Sequence, residues 1–203
     1  MNLTVATDRS VAISGLEKRL ASGFEGRTAY GVIECYLHSS LLWQRAGETP
    51  LRRIKYPGKR SIPSWSWMAY DGAIQYLDVP KEGVEWNNFV SFAQAHGLTA
   101  GSLENNPISI NELKVGVSAL CAAEIQKDPW TMTLDDPGAT NIEELACVVI
   151  GRRMTSSDSR GGNAELYVLF VKPVFMDGYQ RVGAGRIQER HLLAKRVIAG
   201  RII

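Results

Sequence analysis

The sequence predicts an α+β fold: two N-terminal helices followed by a mainly antiparallel β-sandwich or partial barrel, with a short C-terminal helix. Two observations carry this prediction. Apolar residues recur near the helical period before residue 50, and apolar runs separated by turn sequences fill residues 60–190. The 203 residues, 45% of them hydrophobic, suffice for a buried core. We therefore expect a single domain over residues 1–203, with a helical lobe at 1–50 and a β-rich lobe at 60–190.

The helices are predicted from spacing and capping. In residues 8–22, Asp8 can cap a helix whose apolar stripe is formed by Val11, Ile13, Leu16 and Leu20. In residues 28–43 the apolar positions again lie close to the 3.6-residue period, at Tyr30, Ile33, Leu37, Leu41 and Trp43. The tail at residues 188–198 predicts the short C-terminal helix.

The strands are predicted from alternation and turn chemistry. Residues 62–67 alternate large and small side chains, as a half-buried strand does, and Asp71-Gly72 predicts a hairpin turn into a strand at 73–77. Residues 80–107 fit helix and strand equally. Farther on, residues 112–125 alternate, and residues 145–151 and 166–171 are nearly continuous apolar runs typical of fully buried strands. Asp177-Gly178 predicts a turn into a returning strand at 179–187.

Composition excludes several classes of protein and leaves the reaction open. The net charge of +2 gives no indication of nucleic-acid binding, and no apolar run approaches the length of a membrane span. The cysteines, Cys35, Cys121 and Cys147, lie far apart in apolar contexts, which favours reduced thiols and a cytoplasmic location. The three histidines are isolated from one another, so we expect no metal site, and Gly183-Ala184-Gly185 lacks the third glycine of a dinucleotide fingerprint, so we expect no cofactor.

Two stretches carry the candidate chemistry. The basic residues of 52–60 are either a solvated loop or a site for an anionic group. Trp65 and Trp67, spaced two apart on a predicted strand, share one face and form either a core or the wall of an apolar pocket. For the pocket, the predicted walls are Trp43, Trp65, Trp67 and Tyr76. The predicted polar, catalytic residues are Arg60, Asp71 and Tyr70.

Four segments resemble the C-terminal part of fungal heterokaryon-incompatibility (HET) domain proteins. The string Pro63-Ser64-Trp65-Ser66-Trp67 is the most specific of them, and it follows Leu41-Leu42-Trp43 at a typical distance. The others lie at residues 3–16, 30–43 and 167–185. Ile33, where that family usually has Trp, and Met68, where it has a small residue, depart from the pattern. The family's signalling half precedes these segments, so we expect a stand-alone tail module that begins at Met1.

Two functions follow from this resemblance and from the lack of a conventional catalytic constellation. The first is a cofactor-independent enzyme of fungal secondary metabolism, a cyclase or pericyclase of the Diels–Alder type that holds an apolar small-molecule substrate in the aromatic pocket. The alternative is a non-catalytic interaction module of self/non-self recognition, which predicts an exposed apolar or basic patch instead. The oligomeric state stays open.

Overall fold

The computed structural model describes residues 27–56, 61–93, 111–127, 132–154, 164–175 and 178–203, together with Gly15 and Gly23. Its secondary structure is mostly β, with 48% of the described residues in strands. The α+β prediction with two N-terminal helices is therefore wrong, although the β-rich part of the prediction is confirmed. Of the two predicted N-terminal helices, the one at residues 8–22 lies outside the described residues except for Gly15. No helix among the described residues is long and apolar enough to cross a membrane.

The first half of the described chain contains short elements. They are β1 (Thr28–Ala29), β2 (Val32–Ile33), α1 (Leu37–Leu41), β3 (Trp43–Arg45), β4 (Arg52–Arg53), β5 (Tyr70–Asp71), β6 (Ile74–Tyr76), β7 (Val84–Trp86) and β8 (Ser91–Phe92). The second half contains five long strands and the short β10. They are β9 (Leu113–Leu120), β10 (Met132–Leu134), β11 (Ala146–Arg153), β12 (Glu165–Pro173), β13 (Gly178–Gln188) and β14 (Leu192–Ile202), with α2 (Ala122–Lys127) after β9.

The helix predicted at residues 28–43 is replaced by a hairpin, one 3₁₀ turn and the five-residue α1. The cause is the pair Tyr30-Gly31, whose φ angles of 48° and 78° are both left-handed. A two-residue hairpin turn with positive φ at both positions matches the right-handed twist of strands, so β1 and β2 pair across it. Gly31 is also packed against Trp67, and a Cβ there would lie 2.8 Å from the indole Nε1.

Two other predictions fail for similar local reasons. The tail helix predicted at residues 188–198 is a 3₁₀ turn at Glu189–His191 followed by β14, because Val197–Ile202 pairs with β9. The strand predicted at residues 62–67 is a turn that leads into a 3₁₀ helix at Trp67–Ala69. Ser66 begins that helix, since its Oγ accepts a hydrogen bond from the Met68 amide.

The five long strands close into a barrel. β11, β12, β13, β14 and β9 pair in that order, and a pairing of β9 with β11 completes the ring. The β13–β14 contact is parallel and covers only Gly178–Arg201 and Tyr179–Ile202. The strands predicted at residues 166–171 and 179–187 lie inside β12 and β13, and the strand predicted at 145–151 lies inside β11 except for its first residue. The returning strand predicted at 73–77 contains β6, which pairs with β3 instead of β5.

Both faces of β12 are buried, which explains its continuous apolar sequence. Tyr167, Leu169 and Val171 belong to one apolar cluster, and Leu166, Val168 and Phe170 belong to a second. A third cluster contains Trp43, Met68 and Tyr70 and lies in the N-terminal half. Hydrogen bonds join this half to the barrel, including Leu51 N to the Asp135 carbonyl at 2.8 Å and Ser64 N to the Ile203 carbonyl at 3.1 Å. The N-terminal half is therefore docked onto the barrel.

Candidate functional site

The residues predicted to wall a pocket are distributed through the core and surface. Trp65 is fully buried, with its ring 5.9 Å from Tyr30 and 5.8 Å from Phe92 between centroids. Trp43 is also fully buried and donates from Nε1 to the Trp65 carbonyl at 2.9 Å. Trp67 is half-buried against Gly31, while Tyr76 is half exposed. Neither of the two clefts described below is lined by these four aromatic residues.

The predicted polar residues are also placed apart. Arg60 lies outside the described residues, and Asp71 is exposed beside Arg52 on the β4–β5 ladder. Tyr70 is buried, and its hydroxyl donates to the Arg181 carbonyl at 3.3 Å. Burial raises the pKa of Tyr70, and the nearby Asp135 carboxylate raises it further. Of the predicted polar residues, Tyr70 therefore lies next to a polar centre that the sequence did not indicate.

That centre is an ion pair between Arg181 and Asp135, both inaccessible to solvent or nearly so. The Arg181 Nη1 lies 2.6 Å from Asp135 Oδ2, and its Nη2 donates to the Trp43 carbonyl at 2.5 Å. The guanidinium carbon sits 3.2 Å from the centre of the Trp43 ring, a close cation–π contact. The Arg181 amide donates to Ser64 Oγ at 3.0 Å. The pair thus links the barrel to the N-terminal half.

A β-bulge places Arg181 in this position. Opposite β12, Gly183 pairs with Phe170 and Arg181 with Val171, which leaves Val182 as the additional residue of β13. Asp135 follows β10, and its neighbour Asp136 caps the 3₁₀ helix Pro137–Ala139. A charged residue within a predicted strand was the only available signal in the sequence, and it does not identify a partner 46 residues away.

The ion pair is incompletely satisfied. Asp135 Oδ1 and Arg181 Nε are buried atoms with no hydrogen-bond partner among the described residues. Burial raises the pKa of Asp135, while the adjacent Arg181 guanidinium acts in the opposite direction. Buried polar atoms normally have partners, and an unpaired one costs about 1–3 kcal/mol. These two atoms therefore call for an explanation.

A small cleft of about 170 Å³ adjoins this pair, and we refer to it as the ion-pair cleft. Tyr70, Asp135 and Arg181 contribute to its lining, and Leu51 and Val182 add apolar contacts. The rest of the polar lining comes from Arg53, Asp136, Thr140, Lys172 and Gln180. Lys172 and Gln180 lie directly opposite each other on the β12–β13 ladder.

A larger space of about 780 Å³, the apolar groove, lies on another surface of the barrel. Val197, Ala199 and Arg201 alternate along β14 and so share one face, opposite Ser118, Gly116 and Lys114 of β9. The turn at residues 87–90 forms the other wall, and Phe89 is 79% exposed there. Gly116 lies on the floor of the groove, and its lack of a side chain is required there, because a Cβ at this position would collide with Val197.

One end of the groove is cationic. Lys114 and Arg201 are directly opposite on the antiparallel β9–β14 ladder, a placement in which like charges repel. Glu112 forms an ion pair with Arg201 at 3.1 Å, and no ion pair of Lys114 occurs among the described residues. The sequence did not indicate this site, because its walls come from the undecided segment 80–107 and from a tail predicted to be helical.

Within the described residues, His, Cys, Asp and Glu side chains form no group of three or more that could hold a metal ion. The site therefore consists of a polar cleft beside a buried ion pair and a separate apolar groove with a cationic end. Comparisons with protein-family models, with curated proteins and with solved structures each found no match.

Proposed function

We propose that the chain is an interaction module whose apolar groove binds an extended, apolar segment of a partner protein that carries an acidic group. The observation that carries this proposal is the exposure of the groove's own walls. Phe89 is 79% exposed and Val197 is 60% exposed, and both line the groove. Large apolar side chains placed together at the surface are typical of protein-interaction sites.

The openness of the groove favours a protein partner over a small molecule. Small-molecule sites enclose most of the ligand surface, which requires walls that are themselves largely covered. A protein segment supplies its own surrounding surface and covers exposed aromatic and aliphatic anchors as it docks. Because Trp43 and Trp65 are core residues, an enclosed aromatic pocket for a cyclase lacks the walls predicted for it, and the interaction module is the better-supported of the two functions.

The positive charge at one end of the groove indicates that the partner segment carries an acidic group. Lys114 faces Arg201 across the ladder, and Glu112 forms an ion pair with Arg201, while no ion pair of Lys114 occurs among the described residues. An acidic side chain or a C-terminal carboxylate on the partner would relieve this repulsion and form charge-assisted hydrogen bonds. The resemblance to heterokaryon-incompatibility proteins supports a role in self/non-self recognition, in which this groove would bind the partner protein.

Peptide selection tests the proposal. A random peptide library displayed on phage is selected against the protein, and the affinities of the enriched peptides are measured by fluorescence anisotropy. We expect a consensus of spaced apolar residues with one acidic residue. Phe89→Ser and Val197→Ser should each weaken binding about tenfold or more, because burial of such side chains contributes about 1.5–3 kcal/mol. Lys114→Glu should weaken it as well.

Matched controls distinguish the groove from general surface effects. Phe175 is 81% exposed but does not line the groove, so Phe175→Ser should leave the affinity unchanged. Lys81→Glu, on an exposed loop, is the control for Lys114→Glu. Enriched peptides that share no consensus, or that bind the Phe89→Ser and Phe175→Ser variants equally well, would refute the proposal.

A further inference from the structure

We propose that the ion-pair cleft is a binding site for a small hydroxylated acid, in which a hydroxyl group meets Asp135 and Arg181 and the acid group meets Lys172 and Arg53. This site is separate from the apolar groove and does not depend on the function proposed for it. Its basis is the combination of a cleft of suitable size, unpaired buried polar atoms on two of the side chains that line it, and two cations at its mouth that form no ion pair among the described residues.

The inner end favours a hydroxyl group. Asp135 Oδ1 lacks a donor and Arg181 Nε lacks an acceptor, although both side chains are more than nine-tenths buried and line the cleft. A hydroxyl can donate to a carboxylate oxygen and accept from a guanidinium N–H at the same time. An ammonium group fits less well, because Arg181 already neutralises Asp135 at 2.6 Å.

The mouth favours an anion. Asp135 is paired with Arg181, and Asp136 Oδ1 accepts hydrogen bonds from the amides of Gly138 and Ala139. Among the described residues, neither Lys172 nor Arg53 forms an ion pair with an acidic side chain. Arg53 donates to the Ile62 carbonyl at 3.0 Å and lies 6.0 Å from the Tyr70 ring centre. The cleft therefore carries excess positive charge where it opens to solvent.

The size of the cleft limits the ligand. Its volume of about 170 Å³ slightly exceeds that of cavities of about 150 Å³, which hold benzene. A molecule of about six to ten non-hydrogen atoms therefore fits, which is the size of a short hydroxycarboxylate or of a phosphorylated short polyol. Leu51 and Val182 would contact its carbon atoms.

Titration with simple probes tests the site. Glycerate carries both groups, propanoate lacks the hydroxyls and glycerol lacks the acid, and glycerol phosphate distinguishes phosphate from carboxylate. Binding is followed through the Nε–Hε resonance of Arg181 in ¹H–¹⁵N spectra. We expect glycerate or glycerol phosphate to shift this resonance, with propanoate and glycerol binding about tenfold more weakly or worse, since hydrogen bonds to charged groups are the strong ones.

Surface variants keep the test independent of folding. Lys172→Ala should weaken glycerate or glycerol phosphate binding about tenfold, whereas Lys81→Ala and Phe89→Ser should not change it. Asp135→Asn replaces the acceptor Oδ1 or Oδ2 by a donor. In the folded variant, glycerate and glycerol phosphate should no longer shift the Arg181 Nε–Hε resonance. The proposal is overturned if no probe shifts the Arg181 resonance at about 10 mM. Equal binding of glycerate, propanoate and glycerol, or equal effects of Lys172→Ala and Lys81→Ala, would overturn it too.

Discussion

The buried ion pair provides the sharpest stability prediction. In Arg181→Met the Asp135 carboxylate loses its salt-bridge partner, and the Trp43 carbonyl loses its donor at 2.5 Å. Removal of one member of a buried pair typically destabilises a protein by about 3–5 kcal/mol, because an uncompensated charge is left in the interior. We expect Arg181→Met to cost about that much, a large part of a typical stability of 5–15 kcal/mol.

The double variant Arg181→Met with Asp135→Leu should recover most of the loss. It removes both charges, so the remaining cost is that of the unpaired Trp43 carbonyl, about 1–3 kcal/mol. The sum of the single effects would reach about 6–10 kcal/mol if each costs about 3–5. The cycle therefore predicts a coupling energy of several kcal/mol between the two positions.

Urea unfolding of all four proteins measures this cycle. In Arg181→Met the pKa of Asp135 rises further, because only the opposing effect of Arg181 is lost and burial remains. A carboxyl whose folded pKa exceeds its unfolded value contributes stability at low pH that is lost as pH rises through the folded pKa. The variant should therefore be less destabilised at pH 4 than at pH 7. Additive single effects, or a cost for Arg181→Met that does not change with pH, would refute the reasoning.

Two further predictions concern local packing and a thiol. Gly31→Ala should destabilise the protein by more than about 1 kcal/mol, because φ is 78° and Trp67 fills the space. Gly47→Ala, at φ 74° with open space, should cost less in the same unfolding assay. Burial raises the pKa of Cys147 from 9.0 to about 12, so stability that is present below pH 9 should be lost above it. Relative to Cys147→Ala, the wild-type protein should lose about 2 kcal/mol between pH 9 and pH 10.5, and a constant difference would contradict this.

The sequence predicts β11 and β12 well, because burial of both faces leaves a clear pattern, whereas the first part of β14 is wrongly predicted to be helical. Residues 146–150 of β11 and residues 166–171 of β12 are apolar at every position, and a helix of that composition would have no polar face to expose. The apolar positions at 28–43 fit a helix by spacing alone, and only the positive φ of Tyr30 shows why they do not form one. A non-glycine residue in that conformation is set by tertiary packing rather than by local preference.

The candidate sites are harder to predict, since each depends on long-range register. Arg181 points towards Asp135 only because a bulge at Val182 shifts the phase of β13, and a bulge leaves no reliable trace in a single sequence. The groove depends on the alignment of Ala199 with Gly116, which a helical tail would not produce. Residues separated by 46 and 83 positions therefore form these sites, and local patterns cannot relate them.

The position of the ion pair indicates a role in fixing how the two halves of the protein meet. Arg181 contacts Trp43, Ser64 and Asp135 together, so a misplaced N-terminal half would leave a buried guanidinium unpaired. Replacement of both charged residues by apolar ones restores stability, but a misplaced N-terminal half then no longer leaves an unpaired buried charge. In the Arg181→Met, Asp135→Leu double variant we therefore expect faster hydrogen exchange at the Leu51 amide, which is bonded to the Asp135 backbone, while the Leu169 amide in β12 keeps its protection. Equal protection of the Leu51 amide in the double variant and the wild-type protein would show that apolar packing alone fixes the docking.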